Sequence, residues 1–107
     1  MHVDDDIRMQ HIREAAQEAV ELMGDASRDD LGSDRRLSLA VVRLLEIIGE
    51  AAHGVSPEYQ RAHAGLPWTG MIGMRNRLIH GYFDVNLDVV WKTVKEDLPA
   101  LLRNLDS

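Results

Sequence analysis

Residues 34–54 read DRRLSLAVVRLLEIIGEAAHG, and the spacing of the apolar positions in that stretch decides the fold. Leu37, Ala40, Val41, Leu44, Leu45, Ile48 and Ala52 recur at helical intervals and form a broad apolar stripe along one side of a helix. Asp34 sits where a short carboxylate can accept an orphan backbone N–H, and Gly54 ends the run. A helix with one such face needs other elements to cover it. The flanking sequence offers more helices.

Towards the N-terminus, Asp5 to Met23 carries Ile7, Ile12, Ala15, Ala16, Ala19, Leu22 and Met23 on one side of a 3.6-residue period. Acidic residues crowd its start, where the macrodipole favours them, and Gly24 supplies a stop. Asp25 to Ser33 is polar and reads as a loop. Towards the C-terminus, Ser56-Pro57-Glu58 starts a brief helix, with Ser56 as its cap and Pro57 in its first turn. Gly65 and Pro67 close it. The next helix is expected from Pro67-Trp68 towards His80, with Gly81 as its end. Gly70 and Gly73 weaken it by about 1 kcal/mol each, which points to a close backbone approach or a bend. The last helix starts near Asn86 or Asp88 and carries Val90, Val94, Leu98, Leu101, Leu102 and Leu105. Pro99 is expected to kink it or to split off its last turns. No segment alternates with period two. The reading is an all-α, up-and-down bundle of four main helices and one short one, a single domain over residues 1–107.

Composition narrows the function. There is no cysteine, which excludes a disulfide framework, a thiolate metal site and a thiol nucleophile. The apolar runs are too short to span a membrane, and the acidic start Met1-His2-Val3-Asp4-Asp5-Asp6 is unlike a signal peptide. A cytoplasmic location is therefore expected. A net charge of −6 leaves no broad basic face, so any nucleic-acid role must rest on a local patch. His2, His11, His53 and His63 have no partner at a metal-ligand spacing, and no metal or other cofactor is expected.

Chemistry-bearing side chains crowd together in Arg75-Asn76-Arg77-Leu78-Ile79-His80-Gly81-Tyr82. On a regular helix Asn76 and His80 share a face, whereas Arg75 and His80 point about 140° apart. Convergence on one ligand requires Arg75 to wrap round, or the helix to loosen beside Gly81. The residue types suit phosphodiester cleavage without metal. A histidine can take the proton of a ribose 2′-hydroxyl, and an arginine fork can hold the phosphate as its charge grows. Asn76 can orient a phosphate oxygen or the imidazole, and Arg77 can attract RNA. A single His80 leaves the departing 5′-oxygen without a proton donor, so a homodimer with the cleft across its axis is expected. The same residues also admit plain structural readings. Arg75 and Arg77 suit a helix C-terminus, His80 can cap carbonyls, and Tyr82 can pack.

The order Arg75, four residues, His80, one residue, Tyr82 resembles the signature of the HEPN superfamily, and more specifically that of the HepT toxins. Ile48-Gly49-Glu50-Ala51-Ala52, Leu66-Pro67-Trp68, Gly73-Met74-Arg75-Asn76, Val90-Trp91 and Leu98-Pro99 extend the similarity over roughly residues 7 to 105. The resemblance implies an all-α homodimer and a metal-independent endoribonuclease with its cleft at the dimer interface. It implies that Arg75 and His80 are the catalytic pair and Asn76 the polar residue beside the arginine. It also implies an antitoxin partner, a minimal nucleotidyltransferase (MNT), that adds AMP to Tyr82. An adenylate there would fill the phosphate site and repel RNA. A non-catalytic helical dimer that binds a nucleotide or a nucleotidyltransferase is the alternative.

Overall fold

The structure is a computed structural model that describes residues 3–74, 76 and 85–106. Among these residues there is no β-strand, and the elements are helical throughout, as the periodicity predicts. Helix α1 (Val3–Met23) lies along α3 (Arg35–Gly54), and the short α2 (Arg28–Ser33) joins them. Two further short helices follow, α4 (Pro57–Ala62) and α5 (Trp68–Ile72). The chain ends in α6 (Leu87–Lys92), a π-helical turn (Thr93–Asp97) and α7 (Leu98–Leu105).

The core lies where α1, α3 and the C-terminal helices meet. Ile12, Ala15, Ala16, Ala19 and Met23 of α1 are buried against Val41, Leu44, Leu45, Ile48 and Ala52 of α3. Alanines on one helix opposite leucines and isoleucine on the other let two long helices pack closely. Val90, Val94, Leu98 and Leu101 close the core from the C-terminal side. Two residues assigned to the α1 stripe fall outside it: Ile7 is 46% exposed and Leu22 is 44% exposed. At 100° per residue, Ile7 points about 140° and Leu22 about 80° away from the buried Ile12. Ala40 of the α3 stripe is likewise exposed.

The ends of the helices follow from local chemistry. Asp34 caps α3 by accepting the Leu37 N–H at 3.1 Å, as expected. Gly24 ends α1 at φ +47°, a conformation that costs an L side chain about 1–2 kcal/mol. Residues 25–33 are not simply a loop. Ser27 accepts the Asp30 N–H at 3.0 Å, and the Asp30 carboxylate accepts the Ser27 N–H at 2.9 Å. This capping box starts α2, whose single buried side chain, Leu31, plugs into the core. At Gly54 a Cβ would lie 2.5 Å from Nε of Arg8, so the glycine also makes room for a side chain crossing from α1.

Pro99 does not split off the end of the last helix, which continues through it to Leu105. The turn before it widens, so that the Leu98 N–H reaches back five residues to the Thr93 carbonyl. This π-helical turn precedes the residue that has no N–H and whose ring would crowd the carbonyl four residues back. The buried Thr93 hydroxyl is satisfied by donating to the Val89 carbonyl at 2.7 Å.

Candidate active site

The residues expected to carry chemistry are Arg75, Asn76, Arg77, His80 and Tyr82. Asn76 is helical and exposed. Arg75, Arg77, His80 and Tyr82 lie outside the described residues, as does Gly81. What the structure gives is the frame on either side of this segment.

On the N-terminal side, Trp68 and Met71 of α5 and the following Met74 are all buried in the core. The indole N–H of Trp68 donates to the His63 carbonyl at 2.9 Å, and its backbone N–H donates to the Leu66 carbonyl at 2.9 Å. α5 stops at Gly73, whose N–H returns to the Thr69 carbonyl at 2.9 Å, and Met74 and Asn76 are helical again. The two glycines differ in purpose. A Cβ on Gly73 would crowd the Thr69 carbonyl oxygen at 3.1 Å, whereas one on Gly70 would meet nothing within 4 Å among the described residues. The helix expected to run from Trp68 is therefore interrupted at Gly73. On the C-terminal side, Asn86 caps α6 by accepting the N–H groups of Asp88 at 3.1 Å and Val89 at 3.2 Å. Val90, fully buried, then fixes α6 to the core. The described part of the candidate segment, Asn76, thus lies two residues after a core-buried methionine.

Sequence reasoning passed over a second polar constellation. Asp5 is 3% exposed, and its carboxylate accepts both the Ser56 N–H, at 2.9 Å, and the Ser56 hydroxyl, at 2.7 Å. Ser56 in turn accepts the Tyr59 N–H at 3.2 Å as the cap of α4. Tyr59 stacks on His63 with ring centroids 4.1 Å apart and planes 17° apart, and meets Trp68 edge-on at 6.3 Å. The α1 N-terminus, α4 and α5 are therefore joined by one chain of hydrogen bonds and rings. The available signal was the four-residue spacing of Tyr59 and His63, which places them on one helical face.

Burial, aided by the nearby carboxylates of Asp6 and Asp5, raises the Tyr59 pKa above its ordinary 10.0. The phenol keeps its proton more tightly in the folded chain than in the unfolded one. Its favourable contribution is fully present below pH 10.0 and is lost as pH rises through the folded value. The urea midpoint is expected to fall in alkaline solution above that pH. Part of that fall should be missing from Tyr59→Phe, which a comparison of both proteins at neutral and alkaline pH will read.

Among the described residues no group of three or more histidine and acidic side chains is placed to hold a metal ion. No helix among them is long and apolar enough to cross a membrane.

The profile of the family described as "Ribonuclease HepT-like" matches residues 12–107. Curated proteins are similar along most of their lengths. "Probable ribonuclease HepT" of Thermococcus cleftensis is 46% identical over 88 residues, covering 78% of this chain and 80% of that protein. A candidate RNase of Methanocaldococcus jannaschii is 35% identical over 95 residues, 89% of this chain and 87% of that one. Another, from Caldanaerobacter subterraneus subsp. tengcongensis, is 38% identical over 93 residues, 87% and 83% of the respective chains. No solved structure matches at a significant level.

Proposed function

The chain belongs to the HepT-like ribonuclease family, and from that premise we propose that it is a metal-independent endoribonuclease toxin. The observation that carries the proposal is that the family match, residues 12–107, spans residues 75–82, where arginine, asparagine, histidine and tyrosine cluster. The frame supports it, because buried Met74 leads straight into Arg75 and exposed Asn76.

In this mechanism His80 takes the proton of a ribose 2′-hydroxyl. The 2′-oxygen then forms a bond to the adjacent phosphorus as the bond from phosphorus to the 5′-oxygen breaks. Arg75 holds the phosphate oxygens while their charge grows, Asn76 orients them, and Arg77 attracts the strand. The departing 5′-oxygen receives its proton from the equivalent histidine of a second copy, which is why the active species is a homodimer with the cleft at its interface. The products are a 2′,3′-cyclic phosphate and a 5′-hydroxyl. The partner that silences the toxin is an MNT-type nucleotidyltransferase, which transfers AMP to the Tyr82 hydroxyl and so blocks the phosphate site with a bulky anion.

The test is cleavage of total RNA by the purified, unmodified protein in excess chelator. Cutting that leaves 2′,3′-cyclic phosphate ends supports the reading. If a dimer shown by mass to be unmodified at Tyr82 does not cut, the net charge of −6 favours the non-catalytic alternative, a helical dimer that binds a nucleotide or a nucleotidyltransferase. Incubation with the MNT partner and ATP is expected to add the mass of one AMP at Tyr82 and to stop cleavage.

A further inference from the structure

A cleft of about 410 Å³ opens between α1 and the α4–α5 corner, bordered by Gln10, Arg13, Tyr59, His63, Leu66 and Asn104 among others. It does not end there. His63, Leu66 and Asn104 also border a smaller hollow beside Gly65, and Gly65 and Asn104 border a further cleft of about 370 Å³ floored by Met71, Met74 and Leu101. The three hollows adjoin through shared wall residues, so they line the surface as a track of clefts between the Tyr59–His63 stack and Met74, the residue before Arg75.

The outer end of this track is built for a flat, uncharged group. The His63 ring is held on one side by Tyr59, at 4.1 Å between centroids, and its Nδ1 lies 3.0 Å from the Tyr59 carbonyl. A carbonyl can only accept, so Nδ1 carries the proton there, and the ring is pinned at its face and its edge. His63 is otherwise exposed and borders the cleft, which gives it a rigid π surface on which a second ring can stack. The charges argue against a phosphate in the same place. The Arg13 guanidinium is already taken by the Asp106 carboxylate and the Leu105 carbonyl, and Asp6 and Asp97 stand along the track. The polar groups near the stack are rich in acceptors. Gln10 donates its amide N–H to Glu14 at 2.8 Å and offers its carbonyl oxygen, and Asp6 offers a carboxylate.

We propose that this outer cleft is a nucleobase subsite. It takes one unpaired base of the RNA stacked on His63, and it prefers bases with an exocyclic amino group, adenine foremost, over uracil. The proposal rests on the ribonuclease reading, because the adjoining clefts reach Met74, which directly precedes Arg75 in the sequence. It makes His63 a specificity residue. Stacking is worth enough per base that losing it weakens binding by about tenfold.

The experiment measures binding of fluorescently labelled oligo(A) and oligo(U) by anisotropy, in the His80→Ala background so that no strand is cut. Oligo(A) is expected to bind more tightly than oligo(U). His63→Ala is expected to weaken oligo(A) by about tenfold, and His63→Phe, which keeps a stacking face, to restore most of the loss. Thermal melting of each variant separates a binding loss from a folding loss, and His63→Phe covers the case in which the alanine variant does not fold. Equal oligo(A) binding by the His63→Ala protein and its parent overturns the subsite and leaves the ribonuclease reading standing. So does a His63→Phe protein that folds but binds as poorly as the alanine variant, because stacking is then not the interaction. If neither oligonucleotide binds the parent protein, the subsite is overturned, and cleavage of total RNA still decides the ribonuclease reading on its own.

Discussion

His80→Ala is expected to reduce RNA cleavage by about 10²- to 10⁴-fold while the chain remains folded. The size follows from the proposed role. Without the imidazole, water must take the 2′-hydroxyl proton, and the equivalent residue that protonates the 5′-oxygen in the dimer is lost at the same time. The fold should survive because its anchors lie elsewhere. Met74 precedes the segment and Val90 follows it, and each is buried by its own contacts with the core. Single-turnover cleavage with saturating enzyme, together with circular dichroism and mass, reads both halves of the expectation. A His80→Ala protein that cuts at the parent rate removes His80 from the mechanism. Comparable loss in Arg75→Ala would fit a residue that stabilises charge only at the transition state, since kcat then falls and KM changes little.

The largest expected effect on stability comes from a residue far from that segment in sequence. Asp5→Ala is expected to destabilise the fold by about 2–4 kcal/mol, because hydrogen bonds to charged groups are the stronger kind and their loss strands buried partners. Asp5 accepts two hydrogen bonds from Ser56, at 2.9 and 2.7 Å, and is almost wholly buried. Removing it leaves the Ser56 N–H and hydroxyl to find water at the junction of α1 and α4. The change also removes a carboxylate from the first turn of α1, where Asp4, Asp5 and Asp6 favour the helix dipole. Asp5→Asn keeps one acceptor and is expected to lose about half as much. Urea denaturation of the three proteins side by side will show the order. Equal midpoints would mean that this junction contributes nothing to the folded state.

The helical fold was legible in the residues because it rests on local rules. The apolar period of residues 34–54 and the capping residues Asp34 and Ser56 act within a few positions of the chain. The failures are informative in the same terms. Reading residues 25–33 as a loop overlooked the Ser27–Asp30 capping box, a local signal that was present in the sequence. Ile7 and Leu22 were apolar at nearly the right spacing, yet burial depends on where α3 lies against α1, not on the α1 pattern alone. Pro99 is expected to kink the last helix or to split off its last turns, and the helix instead continues through it, with the turn before it widened. The candidate active segment was legible for a different reason. Its side chains are close together in sequence, and the family match over residues 12–107 is a property of the sequence as well.

The sequence by itself therefore determined the helical class, most of the helix ends and the segment on which the proposed chemistry rests. Each depends on neighbours within one or two turns. Only the tertiary structure decided that Asp5 would be buried against Ser56, 51 positions away. It also decided that Tyr59, His63 and Asn104 would border one cleft. The physical reason is that local propensity says nothing about which turn of one helix meets which turn of another. That choice is made by the close packing of the Ala15, Ala16 and Ala19 face against Leu44, Leu45 and Ile48, which fixes how the helices align and so which distant polar groups meet.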